Sequence, residues 1–324
     1  MVRYIIRRLL WALFLCFAVT VITYIIFFII PSDPATLAAG KNARPADIVR
    51  VRHYLGLDKS VPEQYGLFVK RLVVDQSLGR SFVNRRSVRT MVGQAAPVTA
   101  SLVLGGAILW MLLAIPIGIL SALRPRSLLD RASMVFVLIG ISLPVVWIGL
   151  ILQWSIGFKW GILPNAGYCD MINPPEGATC GGPVDWFTHM ILPWITFAIL
   201  FTAIYVRMIR SNVMDTMGED YVRTARAKGA PERTVLFGHA LRNALIPVTT
   251  VAGLIAGFLV AGAVIIESVF RLPGIGQLVY DSINNRDLVV IKNVVILFTI
   301  LVLVVNLLVD LAYALLDPRP RVAS

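Results

Sequence analysis

Residues 219–247 read EDYVRTARAKGAPERTVLFGHALRNALIP, and the rest of the chain is understood from them. They form the one long polar, strongly basic segment in the second half of a very apolar sequence. The residues predict a helix with defined ends. Glu219 and Asp220 stand where acids favour the positive end of a helix dipole, and Arg226 and Lys228 stand near the negative end. Gly229 suits the left-handed conformation that stops a helix, and Pro231 suits the first turn of the next. Tyr221, Ala225 and Gly229 recur every four residues on one face. A face of small residues admits close approach by a partner. Charge alone favours a plainer picture, a solvated basic loop between two apolar helices.

The surroundings of this stretch are membrane-like. The 324 residues are 57% hydrophobic, with a mean hydropathy of +0.78. The apolar residues lie in long runs, so a polytopic all-α membrane protein is the expectation and no soluble core is sought. A net charge of +12 would suggest nucleic acid in a soluble protein. Here basic cytoplasmic loops and contact with anionic membrane lipid account for it, and no nucleic-acid partner is expected.

Six spans are predicted. The first is Leu9 to Ile30, within a segment 1–31. It is too long for a signal-peptide core, and Pro31-Ser32-Asp33-Pro34 follows it instead of a small-residue cleavage site. Cys16 within it reads as a small buried hydrophobe. Residues 32–97 form an extracytoplasmic segment. A helix starts at Pro45, and an amphipathic one starts near Pro62 with Tyr65, Leu67, Phe68, Leu72 and Val73 as apolar positions. Asp75 to Phe82 reads as turn. The second span is Val98 to Leu123. The third is Ala132 to Phe158, interrupted by Pro144. The fourth is Trp186 to Val206, the fifth Ala244 to Ile266 and the sixth Asn293 to Val309. Residues 98–316 thus hold five spans and a cytoplasmic loop 207–243, and 317–324 form a tail.

Charge sets the orientation. Lysine and arginine number about fifteen in the N-terminus, loops two and four and the C-terminus, against about four in loops three and five. Both termini are therefore expected in the cytoplasm. Loop one carries about eleven basic residues on the outside, but it is long enough for the rule to act on it weakly.

The residues also exclude chemistries. Gly40-Lys41 is followed by Asn42, and Ala35 stands where a P-loop needs its first glycine. His53, His189 and His239 are scattered, with no zinc spacing. Ser142 and the other membrane serines lack a hydrolase motif. No catalytic residue, metal site or bound cofactor is expected. A stand-alone secondary transporter needs ionisable groups at mid-membrane and shows internal repeats; neither is visible. A non-transporting scaffold or receptor is the other competitor.

DYVRTARAKG followed by HALRNALIPV closely resembles the cytoplasmic "EAA" loop of ABC importer permeases, in its dipeptide/oligopeptide/nickel branch. LGLD, EQY and SLGRSF resemble that branch's N-terminal module, so the resemblance covers almost the whole chain. In register on Gly229, the general motif's Glu-Ala-Ala falls on Arg223, Thr224 and Ala225, and its Leu-Pro on Leu241 and Arg242. Only Ala225, Gly229 and Leu241 keep the motif's letters, so contacts of the family's glutamate do not transfer.

The resemblance implies a type I ABC importer permease fold and a coupling role for Glu219, Asp220, Tyr221, Arg223, Thr224, Ala225, Lys228 and Gly229. It implies a homologous second permease, two ATPases that bind ATP and Mg, and an extracytoplasmic solute-binding protein. Short peptides are the implied substrate; relatives carrying nickel complexes, haem or other small solutes are the alternative.

Three further residues are candidates for a pathway or gate. Glu267 precedes Arg271 by four residues, so a helix-end salt bridge is the simpler role. Asn306 shares a face with Asp310, and helix–helix hydrogen bonding explains both. Gln153, with Thr249 and Thr250, lines a path or bonds a neighbouring helix. Cys169 and Cys180, in a Pro/Gly-rich loop on the oxidising side, are expected to form a disulfide.

Overall fold

The computed structural model describes the chain except residues 1, 30–32, 40–43, 74–77, 82, 173–179, 246, 249–250, 252–261 and 317–324. The described residues form helices and turns, with one isolated bridge between Arg80 and Ser87. They divide into two compact units, 1–99 with 273–324, and 100–272.

The first unit begins with α1, Val2–Tyr24, which widens into a π turn at Ile25–Ile29. Three short helices follow: α2 (Pro34–Ala39), α3 (Pro45–Leu55) and α4 (Val61–Val73). The helices expected from Pro45 and near Pro62 are therefore present. Phe68 of α4 is buried with Tyr24 and Ile296, and Tyr65, Val69 and Leu72 pack around them. The start of α5 (Val88–Leu123) belongs here too, with α12 (Ile275–Asn284) and α13 (Leu288–Leu316). Val88, Ala95, Ile275, Val289, Val290 and Val294 form their shared core. α13 starts five residues before the expected Asn293. The cause is Asp287, whose carboxylate accepts the Val290 N–H and the Ser81 hydroxyl.

The second unit is built on α8, Pro183–Met217. It also contains the rest of α5, α6 (Leu128–Ser142), α7 (Val145–Leu152) with its π extension Gln153–Lys159, and α9 (Asp220–Ala227). α10 comprises Glu232–Thr234, a π stretch Val235–Ala240 and Leu241–Ala244. α11 is Gly262–Phe270. Small residues let α5 and α6 approach α8. A Cβ on Gly105 would meet the Trp194 ring at 2.2 Å, and one on Gly140 would meet the Ala203 Cβ at 2.8 Å.

Among the described residues, three helices are long and apolar enough to cross a membrane: Ile6–Phe27, Val88–Leu123 and Pro183–Met217. The number rises to five if each of two bent helix pairs counts as one span. The chain is an all-α, multi-helix membrane protein. Further expected boundaries change: α5 begins at Val88, ten residues before the expected Val98. The third span is not one helix: α6 and the helix Val145–Lys159 meet at 106°. Leu143 turns extended (ψ 132°) before Pro144, which starts the second helix without an N–H to donate. α8, expected to end at Val206, continues to Met217. Its 35 residues measure about 52 Å at the helical rise, more than a hydrocarbon core of about 30 Å. Residues 207–217 are therefore helix, not loop. The expected fifth span lies largely outside the described residues.

Candidate functional site

The polar stretch folds as helix, turn, helix. Glu219 takes the N-cap position of α9 with extended backbone, and its side chain makes no capping bond. The helix closes in a Schellman turn. The Ala230 N–H donates to the Ala225 carbonyl (3.2 Å) and the Gly229 N–H to the Arg226 carbonyl (2.9 Å). Gly229 has φ +80°, the left-handed conformation this turn requires. Pro231 becomes the N-cap of α10, one place earlier than expected.

A small apolar core holds α9 to its neighbours. Val222 is fully buried with Val235 and Ala240, and Met217, Ala225 and Ala230 pack against them. Ala225 therefore faces inward, three residues from Val222 on the same side. It supports the helix from within, so Tyr221, Ala225 and Gly229 do not form one outward docking face. Gly229 meets open space, and Tyr221 is partly exposed with its hydroxyl accepting from Asn243 Nδ2 at 2.9 Å.

The outward face is a different set. Asp220, Arg223, Thr224, Ala227 and Lys228 are exposed. Arg223 and Asp220 lie 3.7 Å apart in water. Thr224 donates its hydroxyl to the Asp220 carbonyl at 2.8 Å. Arg226 does not simply face water: its Nη2 donates to Glu232 at 2.6 Å and its Nε at 3.2 Å, a strap across the Gly229 turn. Arg226 holds the Glu232 carboxyl below its usual range. The surface thus offers a short basic helix whose end is fixed by backbone bonds and one ion pair.

Sequence reasoning missed a buried charge in the same unit. Asp130, in the first turn of α6, is 4% exposed. Arg210 of α8 holds it in a fork, Nε to Oδ1 at 2.6 Å and Nη2 to Oδ2 at 3.0 Å. The Ser121 hydroxyl from α5 donates to Oδ1, and the Arg126 N–H donates to Oδ2 at 2.9 Å. A signal existed: Ser127-Leu-Leu-Asp130 has the spacing of a capping box, and Ser127 Oγ does accept the Asp130 N–H at 3.2 Å.

Of the pathway candidates, Gln153 and Glu267 belong to one unit and Asn306 to the other. Gln153 donates to the Asn165 carbonyl at 2.6 Å and the Val269 carbonyl at 3.3 Å, so it ties its helix to α11. Glu267 on α11 is fully buried. Arg271 is exposed with φ +53° and ends α11, the Leu272 N–H closing on the Glu267 carbonyl at 2.9 Å. Glu267 is thus buried while Arg271, expected as its salt-bridge partner, lies on the surface. Asn306 lies half-buried on α13, in the other unit. Thr249, Thr250 and the Asp310 side chain lie outside what is described.

Cys169 and Cys180 are joined, with Cα atoms 5.6 Å apart. His189 of α8 places Nδ1 3.3 Å from the Cys169 sulfur and hydrogen-bonds the Asp185 carbonyl at 2.7 Å. The three side chains cluster within 4.8 Å, but a bonded disulfide offers no thiolate to a metal.

The sequence that builds this arrangement is similar to known proteins along its whole length. Residues 114–322 match the family described as binding-protein-dependent transport system inner membrane component, and residues 1–103 match the corresponding N-terminal module. The chain belongs to this family. It is a membrane component of an ABC transport system and not an enzyme. It is 37% identical to a probable peptide ABC transporter permease of Sinorhizobium fredii, covering 98% of this chain and 99% of that one. It is 38% identical to a di/tripeptide transport system permease of Pseudomonas aeruginosa and 36% identical to a glutathione transport system permease of Pectobacterium atrosepticum, each over 99% of both chains.

Proposed function

We propose that this permease moves short peptides across the bacterial cytoplasmic membrane, inward, by alternating access driven by partner ATPases. The observation that carries the reading is end-to-end similarity to permeases named for dipeptides, tripeptides and glutathione. In this reading six spans cross the membrane with both termini in the cytoplasm. A homologous second permease completes the pore, two ATP- and Mg-binding ATPases dock from the cytoplasm, and a solute-binding protein delivers peptide outside. The 32–97 segment belongs to the outer side, and the 207–243 region faces the ATPases.

The docking element is α9. Its exposed residues Asp220, Arg223, Thr224, Ala227 and Lys228 meet the ATPase, Glu219 and Gly229 set its ends, and Tyr221 and Ala225 hold it to the permease. Closure of the ATPases on ATP pushes α9, and α8 transmits the push, because only Gly218 and Glu219 separate the two helices. Glu267, Gln153 and Asn306 remain the pathway candidates. The test is reconstitution of both permeases, the ATPases and the binding protein in liposomes, with labelled dipeptide outside. ATP-dependent accumulation of dipeptide is the expected result. Uptake of nickel chelates or haem with no dipeptide uptake overturns the peptide assignment.

A further inference from the structure

We infer that Asp130 and Arg210 are positioning residues for transport, clamping three helix ends into one block that carries the motion of α9 into the membrane. The inference rests on the proposed docking of the ATPases at α9.

The geometry is specific. Asp130 is buried, yet its carboxylate is fully bonded: Ser121 Oγ and Arg210 Nε on one oxygen, the Arg126 N–H and Arg210 Nη2 on the other. These donors come from the end of α5, the loop before α6, and α8. The planar guanidinium gives a two-point fork that fixes direction as well as distance. Arg210 lies two turns before Met217, which packs into the Val222 core under α9. Further along, Gly140 of α6 again meets α8 at Ala203, and Gly118 of α5 meets Ile209. α5 and α6 are thus each fixed to α8 at more than one level, and the polar clamp lies nearest to α9.

A buried ion pair is a poor source of net stability, because desolvation offsets its attraction. Its value here is mechanical. With the clamp closed, α8 does not swing without α5 and α6. Without it, α8 bends on its own, and a push on α9 is lost before it reaches the spans.

The test uses the complete reconstituted complex carrying Asp130→Asn, Arg210→Gln, the double variant, and Arg210→Lys. The readouts are ATPase co-purification and peptide transported per ATP hydrolysed. The expected result is retained ATPases with at least about a tenfold fall in peptide per ATP in each single variant. The double variant should fall no further, since one interaction is lost in all three. Arg210→Lys should lie between, keeping the charge without the fork. Peptide per ATP within about twofold of the unaltered complex overturns the clamp. Loss of the ATPases from either single variant also overturns it, because the pair would then serve docking alone. Failure of the unaltered permease to retain ATPases is distinct: it removes the docking reading itself.

Discussion

Tyr205 shows how one atom stands apart from its surroundings. The residue is 2% exposed and its ring lies 5.6 Å from Trp110, yet its hydroxyl has no hydrogen-bond partner among the described residues. Among the described residues, the buried Trp110 Nε1 and Thr202 Oγ1 atoms also lack a partner. A buried unsatisfied group costs about 1–3 kcal/mol. Tyr205→Phe removes the hydroxyl and keeps the ring, so thermal unfolding in detergent should be unchanged or raised by about 1 kcal/mol. Destabilisation instead would show that the hydroxyl is bonded in solution. Arg226 and Glu232 make a contrasting pair, exposed and fully partnered. The folded carboxyl of Glu232 is lowered, so the strap contributes above the ordinary carboxyl range and is lost as pH falls through the lowered value. Amide exchange in the 226–232 turn, corrected for intrinsic rate, should be level from neutral to about pH 5 and quicken only in stronger acid. Quickening nearer neutrality would contradict the strap.

At the scale of elements, the coupling turn was legible and its facing was not. Gly229 announced the left-handed stop, because few other residues accept φ near +80°. The four-residue recurrence of small side chains suggested an outward face, but α9 has one large apolar residue to bury, Val222, and that decided which side turns in. Ala225 followed it. The end of α8 was hidden for a related reason. Arg207 and Arg210 end the apolar run but not the helix, which continues to Met217 with Arg210 occupied by Asp130. Pro144 signalled an interruption, but nothing in the residues fixed a bend of 106°. Gly229→Leu forces a branched side chain into the left-handed region, a cost of about 1–2 kcal/mol. It should fray the end of α9 and weaken ATPase retention while membrane insertion stays normal. Retention equal to the unaltered protein would show that the Schellman turn is dispensable. Gly140→Leu acts elsewhere, driving α6 off α8 at Ala203, and should reduce the yield of folded protein. Full yield would mean the two helices separate freely there.

For the whole molecule, sequence and comparison agree on the family and on an all-α membrane architecture. The number of spans and their direction rest on hydropathy and on the bias of arginine and lysine, which the long basic segment 32–97 opposes. Single cysteines at Ser211 and Ile172, in a background without native cysteines, test the direction on intact cells. An impermeant thiol reagent should label Ile172→Cys and not Ser211→Cys. The reverse pattern would invert the chain.

The central claim is that α9 is where this permease meets its ATPases. A photo-crosslinking amino acid placed at Arg223 or Lys228 of the assembled complex tests it most directly, with Ile172 as the control position. The account predicts an adduct with the ATPase subunit from both α9 positions and none from Ile172. Adducts to lipid alone from Arg223 and Lys228, in a complex that still hydrolyses ATP and transports, would contradict it.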